Sequence, residues 1–97
     1  MNKKLANATQ HFYLTCLVKL EKKEKEGYIG WDDPKNAMGF KDEIEEHLKR
    51  ETITQDDLVD ISNYCNFLWN GKEAEKEKEE REYHERKHYR EVIQSES

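Results

Sequence analysis

The segment Phe40–Trp69, FKDEIEEHLKRETITQDDLVDISNYCNFLW, sets the strongest constraint on what this chain can fold into. It combines apolar stripes at helical spacing with acidic residues at fixed positions beside them. Phe40, Ile44 and Leu48 recur every four residues and predict one helix, with Asp42, Glu43 and Glu46 next to its stripe. Leu58, Ile61, Cys65 and Leu68 recur at three-four-three spacing and predict a second, with Asp57 and Asp60 one turn apart at its edge. Each helix would then bring a carboxylate pair to the packing seam. Acids on successive turns lie about 5–6 Å apart between Cβ atoms and repel, so something must answer their charge. A hard cation such as Mg²⁺ would do so, being held by one or two carboxylates, waters and substrate phosphates. Solvation or capping would also do so: Thr54-Gln-Asp-Asp57 has the spacing of a capping box.

Composition narrows the architecture. A chain of 97 residues is at most one domain, and with 34% hydrophobic residues it buries little apolar area alone, so oligomerisation is the expected remedy. One proline and four glycines among abundant Glu and Lys favour an all-α chain over a sheet protein. The net charge of -5 arises from mixed charges with no basic face, which makes nucleic acid an unexpected partner. Cys16 and Cys65 both fall in apolar helical patterns and read as buried reduced thiols, which suits a cytoplasmic setting. No apolar run is long enough to cross a membrane, and the first 26 residues lack the apolar core of a signal peptide.

In chain order, Asn7 or Thr9 is a possible cap for a first helix that reaches about Lys25, with Phe12, Cys16 and Leu20 on its stripe and Leu14, Leu17 and Val18 widening it. Gly27 is its stop signal. The connector Gly27–Pro34 carries Tyr28 and Trp31, and Trp31 is expected to anchor it onto the bundle. Asp33-Pro34 opens the second helix, which Gly39 weakens until about Phe40 and which runs to about Arg50. After a break at Glu51–Thr54 the third helix runs from about Gln55 to Trp69, with Asn70-Gly71 as its terminator. This gives a helical domain over 1–71 and a charged extension over 72–97 whose alternating charges support only a marginal solvent-exposed helix.

Two further patterns bear on chemistry. His84-Glu-Arg-Lys-His88 matches HExxH, but a catalytic zinc needs a third ligand and a dry cavity, and these histidines lie among Glu, Arg, Lys and Tyr. His47 could ligate a metal or act as a base, and reads first as a surface residue at its helix edge. Trp31, Tyr64, Phe67 and Trp69 could stack a nucleobase, although aromatics at helical spacing in a small protein usually form core.

The order of these features resembles the MazG-like nucleotide pyrophosphohydrolases, especially their short phage-type members, over about residues 10 to 70. That family carries EExxE on one helix and ExxD on the next. Here Asp42-Glu43-Ile44-Glu45-Glu46 and Asp57-Leu58-Val59-Asp60 stand in those places, each with Asp in the leading position. The following Asp60-Ile-Ser-Asn-Tyr is similar to the DVANF-type continuation, and Lys19-Leu20 followed by Gly-Tyr-Ile-Gly-Trp31 to the KL…KGGW segment upstream. The resemblance implies Glu43, Glu46, Asp57 and Asp60 as ligands of Mg²⁺ or Mn²⁺, with Asp42 a weaker candidate, and Glu43, Glu46 and Asp60 as the residues nearest the chemistry. The implied activity is hydrolysis of a nucleoside triphosphate to the monophosphate and pyrophosphate. Only ten residues, His47 to Asp56, separate the motifs, and each Glu-to-Asp change withdraws a carboxylate by one methylene.

The expectation is therefore an all-α bundle of three main helices with a charged C-terminal helical extension, its core completed as a homo-oligomer. Its leading function is an Mg²⁺-dependent pyrophosphohydrolase. The alternative is a catalytically lapsed scaffold that binds a nucleotide or a protein partner, the latter through the charged tail.

Overall fold

The computed structural model describes residues 1–96, with side chains through His88; the last residue of the predicted extension and the side chains from Tyr89 onward lie outside the described residues. The fold is all-α: α1 (Lys3–Lys25), α2 (Ala37–Leu48) and α3 (Gln55–Glu96), with no strand among the described residues. The longest dimension, 67 Å, is about that of α3, because 42 residues at about 1.5 Å each span about 63 Å.

α1 starts earlier than its apolar pattern predicts. The Asn2 side chain caps it by accepting from the backbone N–H groups of Lys4 and Leu5 at 2.7 and 3.3 Å, so neither Asn7 nor Thr9 is the cap. It ends at the predicted place. Gly27 takes φ +87°, its N–H donates to the Glu24 carbonyl, and the Tyr28 N–H donates back to the Lys23 carbonyl, the paired bonds of a Schellman motif. Asp33 accepts from the Lys35 N–H, and Pro34–Asn36 form a single 3₁₀ turn that feeds α2 three residues before Phe40.

The third helix does not stop at Asn70-Gly71. Asn70 stays helical and turns its amide back onto the Asn66 carbonyl at 2.9 Å, and Gly71 is buried against Pro34, so tertiary contact keeps the chain helical through two residues that locally favour termination.

The core is small: Cys16, Phe40, Val59 and Phe67 are its buried apolar members. Phe67 lies at its centre and touches the rings of Tyr28, Trp31, Phe40 and Tyr64, with centroids 5.3–6.2 Å apart. Trp31 thus anchors the connector as predicted, although its outer face stays exposed. The inward face of α3 differs from the predicted stripe. Leu58 and Cys65 point to solvent, while Asp57, Val59, Asn63 and Phe67 are buried. The polar members of that face find partners on other helices, so apolar periodicity alone misplaces the seam by about one residue. Asn63, for example, donates to the Cys16 carbonyl at 3.4 Å across α1 and α3. Of the two free cysteines Cys16 is buried, and Cys65 is not.

Candidate functional site

The acids of the two motifs take different positions. Asp57 is 1% exposed and its two oxygens have separate tasks. Oδ2 accepts from the Thr54 N–H and hydroxyl, both at 2.9 Å, while the Asp57 N–H donates to Thr54 Oγ1 at 3.1 Å, which completes the predicted capping box. Oδ1 accepts from His47 Nδ1 at 2.8 Å and from the Arg50 guanidinium. The Thr54 backbone bond, followed by the His47 bond, holds the Asp57 carboxyl down to about 2.

His47 is therefore buried rather than superficial, because the start of α3 carries a carboxylate to it. Its other nitrogen lies 3.7 Å from Asp60 Oδ2, so the imidazole stands between the two aspartates of the second motif. Asp60 Oδ1 is buried and faces Lys19 Nζ at 2.6 Å, in charge contact but outside good hydrogen-bonding alignment. The same ammonium bonds Asp56 Oδ1 at 2.8 Å. Partial burial works against the Lys19 charge, yet the hydrogen bond to Asp56 and the close carboxylates of Asp60 and Asp56 prevail and raise its pKa. Lys19 from α1, His47 from the last turn of α2, Arg50 from the turn that follows it, and Asp57 and Asp60 from α3 thus form one charge network that joins all three helices.

Glu43 and Glu46 stand apart from it. Both are exposed; Glu46 is 71% exposed and faces Lys49 at 3.4 Å. Glu43 is close enough to Tyr28 and Tyr64 to add to the rise that burial imposes on both phenols. Asp42 is exposed as well. The structure thus brings Asp57 and Asp60 to a common imidazole and leaves the α2 acids outside. Among the described residues no three His, Cys, Asp or Glu side chains converge as a metal would require, and as placed these carboxylates do not form an octahedral oxygen shell.

A feature that the sequence did not single out lies on the other side of Phe67. Leu17 and Leu20 of α1, the Tyr28–Asp32 connector and Phe67 enclose an open cleft of about 540 Å³, a volume in the range of small-molecule and anchor-residue pockets. Its floor is aromatic and aliphatic, and its rim carries Glu21, Glu24 and Asp32 against a single Lys23. That lysine is engaged, its ammonium 5.3 and 5.2 Å from the ring centroids of Tyr28 and Tyr64. The connector is preformed. Gly30 has φ +87° and its carbonyl accepts from the Asn36 amide at 2.7 Å, and a Cβ at residue 30 would meet that amide at 2.8 Å. The only hint of this site in the sequence was two aromatics in a glycine-bearing connector.

Comparison with protein-family models, curated proteins and solved structures finds no match to this chain. No described helix is long and apolar enough to cross a membrane.

Proposed function

We propose that this chain is a non-enzymatic helical binding module whose working surface is the aromatic cleft between α1, the connector and α3. The observation that carries the reading is the division of labour around Phe67: the buried carboxylates are committed to Lys19, His47 and Arg50, while a preformed aromatic cleft stays open. The acidic rim disfavours a triphosphate and favours a peptide that brings an apolar anchor with a basic flank. Leu14 and Val18, on the side of α1 opposite Cys16, remain exposed, which supports pairing with a second copy through that side.

Trp31 lines the cleft and reports on it, once the exposed Trp69 is replaced by Phe. Titration with short peptides carrying an aromatic anchor and basic flank is expected to shift Trp31 emission, and Glu21→Lys with Glu24→Lys to abolish the shift. Silence toward every such peptide would overturn the reading.

A second reading, the Mg²⁺- or Mn²⁺-dependent nucleoside triphosphate pyrophosphohydrolase, is favoured by one observation: the buried Asp60 Oδ1 lacks an aligned hydrogen bond and is answered by the charge of Lys19. Using it would require Lys19 and Arg50 to withdraw and Glu43 and Glu46 to turn inward. Metal-dependent pyrophosphate release that disappears in Glu46→Gln and Asp60→Asn would establish that reading in place of the first.

A further inference from the structure

The sequence His84-Glu-Arg-Lys-His88 belongs to neither reading of the site, and the fold gives it a setting that the sequence left open. α3 runs through it as unbroken helix, in a stretch where every described side chain is exposed. Histidines four residues apart on one helix rise from the same face, about 5–6 Å apart at Cβ. Among the described residues neither imidazole takes part in an ion pair, and the nearest organised neighbour is the Tyr83 ring, 5.6 Å from that of His84 and nearly perpendicular to it.

The geometry points to a two-histidine chelate for a borderline transition-metal ion, Zn²⁺, Ni²⁺ or Cu²⁺, spanning one turn of the solitary half of α3. The helix already holds the second imidazole in place, so closing the chelate costs little further ordering. Imidazole nitrogen selects these ions over Mg²⁺ and Ca²⁺, which take oxygen ligands. Glu80, one turn before His84, and Glu85, beside His88, supply negative potential that Arg81 and Lys87 partly offset. No third protein ligand joins them among the described residues, so water completes the shell and the site lacks the three-ligand frame of a catalytic zinc. The bidentate chelate forms in the helical conformation, so the ion favours helix over its frayed alternatives in a stretch without tertiary support. The site is independent of the cleft and of the acidic network.

The test uses the full chain carrying Cys65→Ser, which removes the exposed competing thiol. Calorimetric titration with Zn²⁺ and Ni²⁺ is expected to show one site per chain, no heat of binding for Mg²⁺, and a gain of far-ultraviolet helical signal. His84→Gln or His88→Gln removes half of the protein ligands and is expected to weaken binding by more than the about 10–100-fold typical of losing a supporting group around a metal. Geometry is separated from composition by two rescues in the His88→Gln chain. Glu80→His rebuilds an i,i+4 pair one turn earlier and is expected to restore binding. Arg86→His places the second imidazole on the opposite face and is expected not to. Unchanged affinity in either single variant, or equal binding by both rescues, would overturn the proposal.

Discussion

The two halves of α3 have the same backbone but are held in different ways. From Asp57 to Gly71 the helix is held from outside: Phe67 is 4% exposed amid four aromatic rings, Asp57 is tied to Thr54, His47 and Arg50, and Gly71 sits under Pro34. From Lys76 to His88 every side chain is exposed, so among the described residues the helix there rests on its own hydrogen bonds and on the helical spacing of opposite charges, worth about 0.2–0.5 kcal/mol per pair. One half is a consequence of the fold and the other an appendage to it. Helical content and stability therefore separate along a single element, and substitutions can act on one without the other.

The largest effect is expected at the packed centre. Phe67→Ala removes the ring on which four others rest and should cost about 3–5 kcal/mol in a denaturant titration. Loss of cooperative unfolding in that variant would also take the helical signal of the first half with it.

Asp57→Asn should destabilise by less than Phe67→Ala, because it withdraws the charge that His47 and Arg50 face but leaves an amide oxygen to accept from Thr54. Its pH signature is specific. The folded carboxyl titrates at about 2 against an ordinary 3.8, so between those values the unfolded chain binds more protons than the folded one. The stabilisation is fully present above about pH 4 and is lost as the pH falls toward 2. Urea titrations across that window should show a slope in the wild type that Asp57→Asn flattens; an equal slope in both would assign the acid sensitivity elsewhere.

At the boundary between the halves the sign reverses. A Cβ on residue 71 would meet the Pro34 Cα at 3.9 Å, an ordinary contact, and the helix there is continuous. Gly71→Ala is therefore expected to stabilise by about 0.5–1 kcal/mol, read as a rise in Tm. Destabilisation would mean that the Pro34 contact is tighter than the structure has it. The smallest effect on stability belongs to the exposed half: Lys78→Pro should break the helix and lower the helical signal while the midpoint of cooperative unfolding stays within about 0.5 kcal/mol of wild type. A large drop in that midpoint would show that the tail supports the core.

The candidate site was only partly legible from the sequence. Thr54 and Asp57 were recognisable as a capping box because the pattern is complete within four residues. That Asp57 also takes charges from His47 and Arg50 was not, since the turn between α2 and α3 must close before they meet. Asp60 reads as an acid at the seam, but its partner Lys19 belongs to α1, where Lys19-Leu20 reads only as part of the KL…KGGW resemblance and nothing local pairs it with an acid. An apolar stripe through Phe40, Ile44 and Leu48 leaves His47 at its edge and so predicts a surface position; the buried Asp57 beside it decides otherwise. The cleft left almost no trace, since its walls come from three separate stretches of chain.

By itself the sequence determined the features that depend on neighbours within a turn or two. These are an all-α chain, the Schellman stop at Gly27, the Asp33-Pro34 entry to α2 and the capping box at Thr54. Tertiary structure decided which face of α3 turns inward, which cation answers each acid, and that helix continues through Asn70-Gly71. Those outcomes depend on contacts between distant residues, such as Asn63 with Cys16, 47 positions away, and Lys19 with Asp56, 37 away. Local propensities differ by about 1 kcal/mol or less per residue, and burial in a packed core outweighs them wherever the two disagree.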